Sequence, residues 1–138
     1  MNIGEGKVNQ EKDEIVFSEE AKLAIPVEDR HLLKTDMIIV GIRPEHLKAA
    51  TKETKVEDKI YVKTTNVEVL GNETIFSFDM GGREWMAKWT GQWRIDVGDL
   101  VPIVISYDSV CLFDSSTEKI IKIPTDIENH VFDKEVFL

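Results

Sequence analysis

Short apolar runs divided by turn residues recur along this chain, and this spacing restricts its fold more than any other feature. The three clearest runs are residues 59–70, 74–80 and 83–89, divided by Gly-Asn at 71–72 and Gly-Gly at 81–82. Apolar and polar residues alternate within these runs, as they do in strands that bury one face. Turn signals about every 8–12 residues are typical of a β-barrel or a β-sandwich. The sequence therefore predicts an all-β fold.

Other segments complete this prediction. Residues 37–42 (MIIVGI) form an apolar run without alternation, so this strand is predicted to be covered on both faces. A single helical turn is predicted within residues 27–34, and the charged segment 48–58 is predicted to be a loop. Additional short strands are predicted at residues 14–17, 23–26, 101–106, 110–113 and 119–123.

The chain has 138 residues, enough for one domain with its own core. We divide it into leading strands with an Arg-Pro turn (residues 1–58), barrel strands (59–123) and a C-terminal tail (124–138). No apolar stretch approaches the roughly 20 residues that cross a bilayer, and the polar segment 1–10 does not resemble a signal peptide. The single cysteine, Cys111, excludes an internal disulfide, fits a reducing cytoplasm and is expected to be a small buried apolar side chain.

The charge balance excludes some classes of partner. The chain has 26 acidic and 17 basic residues, a net charge of −9. A nucleic-acid-binding protein needs Lys and Arg to displace counterions from phosphates, so this composition argues against nucleic acid. Direct binding to anionic lipid is disfavoured for the same reason. Protein partners remain open.

The sequence RPEH at residues 43–46 is the most distinctive polar cluster. Pro44 has no backbone N–H, so the chain must leave the preceding strand there. A catalytic interpretation would make His46 a base oriented by Glu45, but adjacent side chains rarely face each other. We expect instead a turn held by an Arg43–Glu45 ion pair or by backbone hydrogen bonds, with a contact to another subunit as the alternative.

Three tryptophans, Trp85, Trp89 and Trp93, recur every four residues. A helix is excluded because glycines precede and interrupt the segment. On a strand, Trp85, Ala87 and Trp89 share one face. We expect these rings to lie in the core or at an interface with a partner subunit, and stacking against sugar rings or bases is the alternative.

The sequence shows no catalytic, cofactor or metal motif. The three histidines, His31, His46 and His130, do not have a metal-ligand spacing with Cys111. The phosphate-binding motif GxxxxGK[ST] is missing, because the glycine pair at 81–82 is followed by Arg-Glu. Serines lie in no nucleophile elbow, and nothing specific supports a glycosidase with paired carboxylates. We expect no enzyme activity, no bound cofactor and no metal.

Several short motifs agree in order with one known family. They are GIRPEHL at 41–47, LGNET at 70–74, GGRE at 81–84, VGD at 97–99 and CLFD at 111–114. Together they resemble the C-terminal regulatory region of the ATP-binding subunit of MalK-like sugar-import ABC transporters. The resemblance runs from the first residue to about Ile121.

The resemblance implies an OB-fold-like β-barrel, the transport-associated OB (TOBE) domain, with short helical turns. It implies a non-catalytic region that pairs with its twin as a homodimer beside an ATPase domain, the membrane subunits and, in some members, a regulatory protein. The location implied is the cytoplasmic, inner face of the cell membrane. A stand-alone binder of a small ligand or oxyanion is the alternative, and a nucleic-acid-binding OB-fold is a weaker one.

The candidate structural or interface residues are those of the Arg-Pro turn, the first glycine turn and the tryptophan series. They are Arg43, Pro44, Glu45, His46, Gly71, Asn72, Glu73, Trp85, Trp89 and Trp93.

Overall fold

The computed structural model describes residues 1–125, and its elements are strands and short 3-10 turns. This confirms the all-β prediction. None of the described helices is long and apolar enough to cross a membrane. The strands are β1 (Asn2–Val8), β2 (Glu14–Ser18), β3 (Ala21–Ala24), β4 (Met37–Ile42), β5 (Leu47–Ala49), β6 (Ile60–Leu70), β7 (Glu73–Met80), β8 (Arg83–Thr90), β9 (Leu100–Ile105), β10 (Cys111–Asp114) and β11 (Ile120–Lys122). The 3-10 turns are Val27–Leu32, Pro44–His46, Val56–Asp58 and Tyr107–Ser109.

Two antiparallel sheets make up the fold. The first has six strands in the order β11-β10-β4-β1-β2-β3, and the second has five in the order β5-β9-β6-β7-β8. The five-stranded sheet curls into a nearly closed barrel, with β5 and β8 at its two ends. The indole Nε1 of Trp89 on β8 donates a hydrogen bond of 2.6 Å to the carbonyl of Leu47 on β5. This bond joins the two ends of the barrel sheet.

The hairpins of the barrel form where the sequence predicts them. Two-residue turns connect β6 to β7 and β7 to β8, and the residues flanking the turns pair as Leu70 with Glu73 and Met80 with Arg83. Along β8, alternate residues are buried, including Trp85, Ala87 and Trp89.

The first strand, β1, has no counterpart in the sequence prediction. Its inward positions include Gly4 and Gly6, so it lacks the apolar alternation from which a strand is predicted. Gly6 has no room for a side chain, because an added Cβ would clash with Ile15, and at Gly4 an added Cβ would lie 3.2 Å from the Trp85 ring, a tighter contact than most Cβ atoms make. The strand forms because β4 pairs with it along its length.

The charged segment 48–58 is not a simple loop. It contains the last residues of β5, which pairs with β9, and the 3-10 turn Val56–Asp58. The two sheets also do not separate at residue 58. Strand β5 belongs to the barrel sheet although it precedes residue 58, and β10 and β11 belong to the six-stranded sheet although they follow it. These exchanges depend on pairing between distant segments, which local patterns do not reveal.

One continuous core joins the sheets, and its largest fully buried side chains include Trp85, Phe76 and Phe78. Strand β4 is covered on one face, where Ile38 and Val40 are fully buried. Its other face is only partly covered, because Ile39 is half-buried. The prediction that β4 is covered on both faces therefore holds only in part.

Candidate functional site

The Arg-Pro turn is held by the backbone. The N–H of His46 donates to the carbonyl of Arg43 at 2.9 Å, and Pro44–His46 forms a 3-10 turn. Both Arg43 and Glu45 are exposed. Among residues 1–125 they form no ion pair with each other, so of the two kinds of contact expected for this turn the structure has the backbone hydrogen bond.

Pro44 also lines a shallow groove on the outside of the fold, together with the apolar side chains of Met1, Ile3 and Met86 and the charged residues Arg83 and Glu84. Met1, Ile3 and Met86 are 61%, 46% and 42% exposed. The side chain of Asn2 forms the floor of this region, since its amide donates to the Met86 carbonyl at 2.8 Å and its oxygen accepts from the Met86 N–H at 2.8 Å. We call this surface the β1–β8 groove.

The first glycine turn lies at the exposed tip of the β6–β7 hairpin. Its carbonyls are tied to the loop after β8, because Gln92 donates to Gly71 at 3.0 Å and Gly91 donates to Asn72 at 2.6 Å. Glu73 forms an ion pair with Lys88 at 3.3 Å. Both partners are nearly half exposed, so this pair contributes at most about 1 kcal/mol.

The three tryptophans differ in burial. Trp85 is fully buried and Trp89 is 6% exposed, so both lie in the core. Trp93 lies beyond the end of β8 and is 43% exposed. Its ring packs on Trp89 with the ring centroids 4.7 Å apart.

Trp93 lines a second cleft, which we call the Trp93 cleft, between the end of β5, the loop after β8 and the start of β9. The cleft has a volume of about 330 Å³. Among residues 1–125, the charged residues that line it are Arg94 and Asp99. Sequence reasoning singled out Trp93 but not these two, because the loop at residues 91–99 has no periodic pattern. The lining residues are Ala49, Ala50, Trp89, Trp93, Arg94, Ile95, Asp99, Leu100, Val101 and Pro102.

Burial raises the pKa values of two side chains near the end of the described chain, Tyr107 and Cys111. Burial and a 2.9 Å hydrogen bond from its hydroxyl to Asp29 raise the pKa of Tyr107. Burial also raises the pKa of the Cys111 thiol, against the opposing effect of Lys122. Cys111 is half-buried rather than buried as expected. Within residues 1–125, no group of three or more His, Cys, Asp and Glu could hold a metal ion.

Comparison with known proteins identifies the family to which this chain belongs. A TOBE domain model matches residues 40–113, more than half of the chain. The chain belongs to the TOBE domain family. A second model, the MalK OB fold domain, matches residues 1–47. The two matches follow each other along the chain, so the TOBE chain corresponds to the C-terminal region of sugar ABC transporter ATP-binding subunits.

Curated relatives agree with this assignment. The chain is 32% identical to the uncharacterized ABC transporter ATP-binding protein YurJ of Bacillus subtilis, over 86% of this chain and 34% of the relative. It is 27% identical to an sn-glycerol-3-phosphate import ATP-binding protein, UgpC 1, of Rhizobium johnstonii, over 90% and 33%. It is 29% identical to the maltose/maltodextrin import ATP-binding protein MalK of Vibrio parahaemolyticus, over 83% and 31%. The chain spans about a third of the length of these relatives.

Proposed function

We propose that this TOBE chain is the non-catalytic regulatory and pairing region of the ATP-binding subunit of an ABC importer, for sugars or related solutes. The observation that carries the proposal is the order of the two family matches, which together run from residue 1 to residue 113. The described fold supports it, because one core joins the segments that the two models match.

The mechanism is tethering. Two ATP-binding subunits of an importer must approach each other around ATP and then separate. A region that stays paired with its twin keeps the two ATPase faces at high effective concentration while they are apart. The paired region takes no part in the chemistry, and the solute binds elsewhere, to the membrane subunits and an external receptor.

The proposed partners follow from this role. They are a second copy of the chain, the ATPase domain, the membrane subunits of the transporter and, as an additional option, a regulatory protein. The complex would hold the chain at the cytoplasmic face of the membrane. A sugar or related solute is favoured because two of the relatives are named for maltose/maltodextrin and sn-glycerol-3-phosphate import.

The β1–β8 groove is the surface that we propose for pairing. Trp85 and Trp89 are buried, so they do not supply an aromatic contact at the surface. The groove instead offers exposed apolar side chains next to Pro44, one of the interface candidates. Apolar side chains are enriched in the buried centres of homodimer interfaces.

The chain is expected not to hydrolyse ATP. Without a phosphate-binding loop, the triphosphate and its magnesium ion have no cradle in this sequence. Phosphate release measured with the purified chain should match a buffer blank. The control is a second chromatographic step that separates contaminating ATPases, and turnover that co-elutes with the chain after that step would contradict the proposal.

A further inference from the structure

Trp93 forms a fixed aromatic platform at the surface. Its indole Nε1 donates to the carbonyl of Thr90 at 2.9 Å, and its backbone N–H donates to the Thr74 hydroxyl at 2.9 Å. That hydroxyl in turn donates to the carbonyl of Gly91 at 2.8 Å. Packing against Trp89 adds a third constraint. A ring that is already held in place loses little conformational freedom when a ligand stacks on it.

The polar groups of the Trp93 cleft suit an uncharged ligand that both donates and accepts hydrogen bonds. Within residues 1–125, the guanidinium of Arg94 makes no hydrogen bond or ion pair. The carboxylate of Asp99 accepts one hydrogen bond, from the N–H of Asp96 at 2.9 Å. Arg94 can only donate and an ionised Asp99 can only accept. Their charges cancel, so the cleft does not select for an anion, and the net charge of −9 disfavours one.

The size of the cleft limits the ligand. Ligand pockets usually measure about 300–1,000 Å³, so a cleft of about 330 Å³ fits one or two small rings. A sugar ring presents C–H groups on its face, which stack on an indole, and hydroxyls on its rim, each of which donates and accepts.

We propose that the Trp93 cleft binds a neutral pyranose sugar, stacked on Trp93 and hydrogen-bonded to Arg94 and Asp99. The site lies between the end of β5, the loop after β8 and the start of β9, and its lining residues within 1–125 differ from those of the β1–β8 groove. If the proposed function holds, and only then, this site allows the regulatory region to respond to sugar in the compartment where the region itself lies. Binding itself depends on neither pairing nor a transporter.

Nuclear magnetic resonance of the ¹⁵N-labelled chain tests the proposal directly. The probes are D-glucose, D-galactose, maltose and sucrose, at up to about 20 mM, a range that detects millimolar dissociation constants. At least one sugar should shift the Trp93 indole signal and the amides of residues 49–50 and 94–101 in a saturable way. The matched ligand control is D-glucitol, which carries the same kind of hydroxyls without a ring. It should cause no saturable shift.

Variants locate the site. Trp93→Ala should weaken sugar binding at least 10-fold, whereas Tyr61→Ala, which removes an exposed ring outside the cleft, should leave it unchanged. Trp93→Phe keeps an aromatic ring and should retain part of the affinity even if the alanine variant does not fold. The proposal is overturned if no sugar gives a saturable shift, if D-glucitol binds equally well, or if sn-glycerol 3-phosphate binds more tightly than every neutral sugar. A monomeric chain that binds sugar would contradict the pairing proposal alone.

Discussion

Trp85→Ala should destabilise this chain by about 3–5 kcal/mol, the usual cost of truncating a large buried aromatic side chain. Trp85 is fully buried between the two sheets. Its ring meets Phe17 edge-on with centroids 5.6 Å apart and packs against Gly4. Its Nε1 donates to the Ile3 carbonyl at 3.2 Å, so the variant also removes the hydrogen-bond partner of a backbone group.

Urea unfolding measures this loss, and Trp93→Ala is the matched control. Trp93 is 43% exposed, so its truncation should cost roughly 1 kcal/mol, an ordinary value for a point substitution. A domain is typically stable by about 5–15 kcal/mol, so the Trp85 variant should show a much lower midpoint at an unchanged slope. Equal midpoints for the two variants would show that the sheets do not pack through Trp85.

Gly81→Ala should lower the free energy of unfolding by about 3 kcal/mol, the sum of left-handed strain and a backbone clash, and so by more than Gly82→Ala in the same turn. Gly81 has φ +59°, and an added Cβ would lie 2.5 Å from the backbone oxygen of Phe17. Gly82 has φ +91° and nothing within 4 Å of an added Cβ. Left-handed backbone costs a residue with a Cβ about 1–2 kcal/mol, so Gly82→Ala isolates this strain and Gly81→Ala adds a clash with backbone.

The comparison of these two variants by thermal or urea unfolding reports on the contact between the β7–β8 turn and β2. Strain at Gly82 is no smaller than at Gly81, because +91° lies further from the left-handed minimum near +57°. Any excess loss in the Gly81 variant therefore comes from the clash with Phe17. Losses that agree within about 0.5 kcal/mol, the usual range for substitutions away from such features, would contradict the described packing of this turn.

The barrel hairpins could be predicted from local sequence patterns. The alternation along β7 and β8 and the two-residue turns at 71–72 and 81–82 are determined by neighbouring residues, so they can be read from the sequence. Strand β1 could not be read in this way. Its inward glycines give no apolar signal, and it forms only because β4 and Trp85 pack against it.

The residues of the candidate site also differ in whether local patterns could predict their surroundings. Periodicity placed Trp85 and Trp89 on one face of β8, and the structure puts that face in the core. The surroundings of Trp93 depend on where the loop at residues 91–99 meets β5 and β9, which local spacing does not specify. Arg94 and Asp99 look like ordinary surface charges in the sequence. Only the folded chain brings them to one cleft with an aromatic ring.

The negative charge of the chain should oppose its self-association. Each copy carries −9, so two copies repel each other, and salt screens this repulsion. Pairing through the β1–β8 groove should therefore be tighter at about 0.5 M salt than at about 0.05 M, where the Debye length is longer. Met86→Glu places a charge in the groove and should weaken pairing, whereas Tyr61→Glu makes the same kind of change at an exposed position outside it.

Sedimentation equilibrium of the unmodified chain at physiological salt tests the central claim most directly. We expect a two-fold dimer at about 100 µM protein that dissociates on dilution, since a complex with a micromolar dissociation constant is well populated at that concentration. Met86→Glu should shift the equilibrium towards monomer, and Tyr61→Glu should not. A single monomeric species at about 100 µM, at both low and high salt, would contradict the proposal that this chain pairs with its twin.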